Sequence, residues 1–267
     1  MILVLKRKNL MLTAIATVLT IAILGVNVNL GGKNVDVSND PSLNFVPTTV
    51  NVSGEGKTIV LDAGHGGEDP GATSKFSDLK EKDLNLKLAL KTKDLFEKAG
   101  YKVIMTRTED VLKYEGDSIS MTAKRKMDLL LRKKTMDESQ ADIVVSIHLN
   151  GFGDAKYFGA QAFFTKTSKS SQKLAILMQK ALQEKVDPAN KREALLKKDD
   201  IIITKNCKVT TVVVECGFLT NEAEEKNLRD EAYQNKLCEA IKYGVDMYFS
   251  PTTTENAAPL GNSTKPQ

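Results

Sequence analysis

The sequence predicts an α/β fold: a single domain on a mostly parallel, twisted sheet flanked by helices. Three observations carry this. Short apolar runs alternate with helix-period patterns, as in strand–helix–strand units. The strongest runs are continuous rather than alternating, as in strands covered on both faces. The 267 residues suffice for one full core but hardly for two, since domains usually run to about 100–200 residues.

The first strand is Thr58-Ile59-Val60-Leu61-Asp62, followed by a Gly-rich loop. Residues 81–99 read as a helix, because Leu84, Leu88 and Leu95 share one face and Gly100 stops it. A strand over 101–106, a helix over 118–134 and a strong central strand over 141–150 follow. Residues 159–165 read as a strand, 170–186 as a third helix, 201–204 as a short strand and 210–218 as a nearly all-apolar strand. A helical region over 221–249, of one or two helices, closes a domain expected to span 57–249. Ahead of it, residues 31–56 are rich in Asn, Ser, Gly, Pro and Thr without periodicity and read as a flexible linker. The tail, 250–267, reads as disordered.

With 41% hydrophobic and 27% charged residues, the chain is neither wholly disordered nor fibrous. Its formal net charge is +4, but Lys6, Arg7 and Lys8 supply three of those charges, so the rest is nearly neutral. Mixed-sign, Lys-rich faces without aromatic interleaving or a helix-turn-helix pattern argue against nucleic acid as a partner. The three cations precede an apolar run over 10–30 that reads as an export signal, either a cleaved signal peptide or a membrane anchor. The run nears the ~20 residues that span a bilayer, and no Ala-x-Ala site precedes Gly31-Gly32, which favours the anchor. The expected location is therefore outside the cytoplasmic membrane. Cys207, Cys216 and Cys238 form no Cys-x-x-Cys pair and read as buried thiols, with one disulfide plus a spare thiol as the alternative.

The chain holds only two histidines, and each stands where an apolar strand ends. His65 lies in Leu61-Asp62-Ala63-Gly64-His65-Gly66-Gly67, and His148 in Val145-Ser146-Ile147-His148-Leu149-Asn150. Ligands of open α/β sheets bind outside the carboxyl ends of the strands, so both imidazoles fall at one edge. Either alone reads more readily as a hydrogen-bonded structural residue; the pair points toward a metal. Glu81 opens the first helix, where it serves as a third ligand or simply sits well near the positive end of the dipole. Glu215 lies inside Thr211-Val212-Val213-Val214-Glu215-Cys216-Gly217-Phe218, sharing one face with Val213, while Val214 and Cys216 take the other. A carboxylate buried in such a strand needs a cation, a water or a catalytic task, and a structural ion pair competes with the catalytic reading. Two histidines and a glutamate are a known catalytic zinc set with one open position, and a second carboxylate would handle the protons. No Gly-x-Ser-x-Gly, Walker loop or His-Glu-x-x-His supports a rival chemistry.

In order and in kind, these blocks resemble the N-acetylmuramoyl-L-alanine amidases of the amidase-3 type. The first motif continues through Asp69-Pro70-Gly71-Ala72. Glu81-Lys82-Asp83, Thr106-Arg107-Thr108, Ser146-Ile147-His148-Leu149-Asn150 and Val214-Glu215-Cys216-Gly217-Phe218-Leu219-Thr220-Asn221 follow, so the likeness spans 58–249. The resemblance implies a six-stranded sheet flanked by helices, Zn2+ ligation by His65, Glu81 and His148, and Glu215 as the catalytic carboxylate. It implies hydrolysis of the amide between N-acetylmuramic acid and L-alanine in peptidoglycan. Ala63 stands where the family usually has Pro, and Met136-Asp137 where Ala-Asn is common.

The span from His148 to Glu215 has no room for the self-blocking insertion of some septal members, and no wall-binding repeat is present. A catalytic domain alone behind an apolar segment is similar to sporulation members that prepare spore-cortex peptidoglycan for germination in the forespore intermembrane space. Without an inhibitory insert, control by an activating partner protein is implied. The alternatives are a zinc peptidoglycan peptidase and a non-catalytic wall-binding protein. With no Trp, glycan recognition must rest on other contacts.

Overall fold

The computed structural model describes residues 53–151, 153–165, 168–197 and 202–251. The expected export segment, residues 31–52 of the expected linker and the tail from 252 lie outside them. No helix among the described residues is long and apolar enough to cross a membrane.

Six strands form one sheet: β1 (Thr58–Ala63), β2 (Lys102–Met105), β3 (Ile143–Asn150), β4 (Gln161–Phe164), β5 (Leu195–Leu196) and β6 (Thr210–Phe218), in the order β2-β1-β3-β6-β4-β5. All neighbours run parallel except β4 and β6, which are antiparallel. Five helices flank the sheet: α1 (Glu81–Lys98), α2 (Met121–Glu138), α3 (Lys169–Lys185), α4 (Glu222–Arg229) and α5 (Glu231–Phe249). Side chains cap the later ones. Ser120 accepts from Ala123 N, Ser168 from Ser171 N and Asn221 from Glu224 N, each satisfying an N–H that the helix itself cannot. Asp230 caps α5 through Ala232 N and Tyr233 N, which splits the helical region 221–249 in two.

The two faces of the sheet are covered unequally. Ile59, Leu61, Ile143, Val145, Ile147, Val212 and Val214 point into the main core, packed with Leu88 of α1, Met178 of α3 and Ile241 of α5. Burying each large side chain of this kind contributes about 1.5–3 kcal/mol. Val60 and Val144 alternate to the opposite face, where they meet only Met136 of α2 and Ile203 among buried residues. This thinly covered face carries the even-numbered members of β1, β3 and the odd-numbered members of β6, so it leaves space above His148 and Glu215.

Three local expectations are corrected. Residues 202–204 form turns, not a strand; Ile203 is a plug against Val60, Val144 and Met136, and the edge strand is Leu195–Leu196. A short apolar run looks the same whether it pairs or plugs. Helix α2 starts after Ser120 rather than at 118, because Ser118 is in the left-handed region (φ 57°), and it continues to Glu138. Gly54, within the expected linker, is buried and donates to Ala99 O at 2.8 Å, so the folded part begins before residue 57.

Candidate metal centre

The site is assembled at the carboxyl ends of β1 and β3. Gly64 continues the pairing of β1 by donating to Ile147 O at 3.1 Å. A Cβ on Gly64 would lie 2.2 Å from His148 Cε1, so only glycine lets that ring close over the loop. His65 then adopts φ 62°, a conformation that costs energy in a residue with a side chain.

Two buried arginines hold this loop by its carbonyls. Arg132 donates to Ala63 O at 2.5 Å and to His65 O at 2.7 Å. Arg107 donates to Ala63 O at 2.8 Å and Gly64 O at 3.0 Å. Burial and the neighbouring Arg132 push Arg107 down to about 10, which leaves it charged at neutral pH. Arg132 is balanced by Asp128 at 2.6 Å and Asp62 at 3.0 Å. Asp62 is fully buried; burial opposes its charge, but Arg132 and hydrogen bonds from Ser146 and Thr106 outweigh it and hold the carboxyl below its ordinary range.

Glu81, on the first turn of α1, is the hub. Its Oε1 lies 3.2 Å from His65 Nε2 and 3.0 Å from His148 Nδ1, and accepts from Leu149 N at 3.0 Å. Its Oε2 accepts from Ala72 N at 2.8 Å. Gly71 (φ 65°) allows this approach, since a Cβ there would stand 2.5 Å from Oε2. Burial disfavours the ionised form of Glu81, yet both histidines hold it far below the usual carboxylate range. His65 Nδ1 meets Asp69 Oδ2 at 2.8 Å, and Asp69 Oδ1 meets Arg125 at 2.7 Å. Burial would lower the pKa of His65, but hydrogen bonds to Asp69 and Glu81 raise it to about 9.

One donor atom each from His65, Glu81 and His148 lies within 4.8 Å of the others. A tetrahedral ion with bonds of about 2.0–2.2 Å keeps its ligands roughly 3.3–3.5 Å apart, close to the Glu81–histidine spacings. The donor set and its spacing therefore fit zinc. Glu215 pairs in register with His148 across β3 and β6. Its Oε1 meets Lys197 Nζ at 3.1 Å, while its Oε2 is buried without a partner among the described residues. A cavity of about 460 Å³ spans all four residues and reaches Asp128, Arg132 and Ile203.

All four residues singled out by sequence thus meet in one cleft. The ion pair offered as the competing account of Glu215 exists too, yet it engages one oxygen only. Cys216 turns into the main core, and all three cysteines are free thiols. Lys197 and the carbonyl-gripping role of Arg132 escaped sequence reasoning. A lysine just past a two-residue strand, in a stretch of mixed charges, gives no signal.

Fold and cleft together describe an α/β protein with a candidate metal centre, a three-donor cluster at the carboxyl edge of its sheet. Residues 59–247 match the N-acetylmuramoyl-L-alanine amidase family of the amidase-3 type, and the chain belongs to that family. It is a peptidoglycan amidase. The germination-specific N-acetylmuramoyl-L-alanine amidase of Bacillus subtilis (strain 168) is 33% identical over 196 residues, 73% of this chain and 81% of the relative. The CwlD amidase of Clostridioides difficile, solved in complex with the GerS lipoprotein, is 44% identical with a TM-score of 0.70 over 73% of this chain and 98% of that one. An N-acetylmuramoyl-L-alanine amidase of Clostridium difficile 630 is 29% identical with a TM-score of 0.63, covering 77% and 100%.

Proposed function

We propose that the chain is a zinc-dependent N-acetylmuramoyl-L-alanine amidase of the spore cortex, with His65, Glu81 and His148 as metal ligands and Glu215 as the catalytic carboxylate. The convergence of the three donor atoms within 4.8 Å, beside a carboxylate with one unpartnered oxygen, carries this reading. Bound there, a zinc ion would acidify a water and polarise the amide carbonyl. The residues of the chain do the rest. Glu215 Oε2 is available to take a proton from water and return it to the leaving L-alanine nitrogen, while Lys197 fixes Oε1. Asp69 and Arg125 orient His65, and Arg132 and Arg107 fix the backbone on which it stands.

The cortex role is supported by the germination-specific relative and by the CwlD structure. The same structure, with its lipoprotein, supports a partner protein and a location outside the cytoplasmic membrane; activation by that partner is part of the proposal, and tethering by the apolar segment at 10–30 rests on the sequence alone. Incubation of the full chain with spore peptidoglycan tests the activity: new L-alanine amino termini with sugars intact support it, and cleavage within the stem peptide would replace it with a peptidase. Full turnover by the purified chain alone would remove the partner from the account.

A further inference from the structure

A second cavity, of about 250 Å³, is lined by Lys156, Tyr157, Phe158, Asn190, Lys191 and Arg192. It is cationic and aromatic, whereas the metal cleft carries both histidines and several carboxylates.

The sheet connects the two. His148, Glu215 and Gln161 are register partners on β3, β6 and β4, so their side chains form a row on one face. Arg192 extends the row: its Nη1 donates to Gln161 Oε1 at 2.8 Å, and Gln161 Nε2 donates to Glu193 O at 2.8 Å. Arg192 Nε donates to Phe158 O at 2.5 Å. Its guanidinium lies 4.6 Å from the Phe218 ring, against which Tyr157 also stacks. Phe218 stands three residues past Glu215, roughly 7–10 Å along the strand. Arg192 Nη2 makes no hydrogen bond among the described residues. Glu224, the carboxylate facing Arg192, is itself committed to Gly159 N and Phe218 N at 2.9 Å each. Lys191 has only Pro188 O at 3.5 Å.

An arginine pinned through two of its nitrogens, in the lining of a pocket that also holds two aromatic rings, Lys191 and the Asp154-paired Lys156, is built to receive a carboxylate. Resting on the amidase reading, we propose that this pocket is a subsite for the free carboxylate of the second residue of the stem peptide, counted from the scissile amide. Two residues of extended peptide cover about 7 Å, on the scale of the separation between Glu215 and Phe218 along β6. The amide under attack and an acidic group further along the same peptide would then be held at the two ends of one row of side chains.

The test uses the full chain and two N-acetylmuramyl peptides of identical sequence, with the carboxylate of the second residue either free or amidated. The wild type should favour the free acid by about tenfold or more, as expected for a charge-assisted hydrogen bond, with the difference in KM. Arg192→Gln should collapse this preference toward unity, and Arg192→Lys should restore part of it. Lys191→Gln, an exposed change that leaves Gln161 bonded, should narrow it. Equal cleavage of both compounds by the wild type, or a preference that survives Arg192→Gln intact, would overturn the subsite alone. Cleavage of both compounds at a bond other than the muramyl–L-alanine amide would overturn the amidase reading and the subsite with it.

Discussion

His148 and Glu215 occupy paired positions on the parallel strands β3 and β6 and face the same side of the sheet. Adjacent strands are about 4.8 Å apart, so the proposed metal donor and the proposed proton-handling carboxylate are spaced by backbone hydrogen bonds rather than by loops. Their relation should survive substitution of either side chain.

Glu215→Gln keeps the shape of the side chain and its place in β6, but removes the proposed base. We expect metal content to stay at the wild-type level and turnover to fall by about 10²–10⁴-fold. Wild-type turnover in that variant, measured with metal content on the same sample, would sink the role of Glu215.

Asp69 touches His65 Nδ1, the ring nitrogen opposite the one nearest Glu81. Asp69→Asn should weaken zinc binding by about 10–100-fold while the domain stays folded. Competition against a chelator of known affinity reads this directly, and unchanged affinity would contradict it.

His65 in the metal-free protein has its pKa raised to about 9. Its protonated form stabilises the fold, so this contribution is complete below the unfolded value of about 6.5 and is lost as pH rises through about 9. The metal-stripped chain should therefore melt at progressively lower temperature across that window, on account of this residue, and His65→Gln should flatten the dependence. Zinc competes with the same proton, so its apparent affinity should rise with pH over the same range. A melting profile identical in the variant would rule out His65 as the source.

Arg132 neutralises Asp128 and Asp62, both nearly inaccessible. Arg132→Met would leave two buried carboxylates without their cation and should cost about 3–5 kcal/mol in denaturant unfolding. A loss below about 1 kcal/mol would mean that the loop carbonyls, rather than the ion pairs, account for the residue.

Much of this was legible in the sequence for a physical reason. The runs forming β1, β3 and β6 are largely apolar because these strands are buried, so a polar residue just past or within them stands out as a site candidate: His65 and His148 toward the ends, Glu215 inside. Glu81 was legible only through the resemblance, since a glutamate in a first helical turn has an ordinary explanation. Residues whose role depends on distant partners were hidden. Lys197 meets Glu215 from just past a two-residue strand with almost no pattern of its own, and Arg132 looks like one more basic residue on a Lys-rich helix. Ile203 reads as a strand because burial, not pairing, selects an apolar residue there.

The central claim is that this amidase depends on a zinc ion held by His65, Glu81 and His148. The most direct test strips metal from the full chain, then follows release of L-alanine amino termini from peptidoglycan as zinc is returned, with His148→Ala in parallel. The account predicts no release before zinc, recovery that saturates near one ion per chain, and no recovery in the variant; full release by the stripped wild type would contradict it.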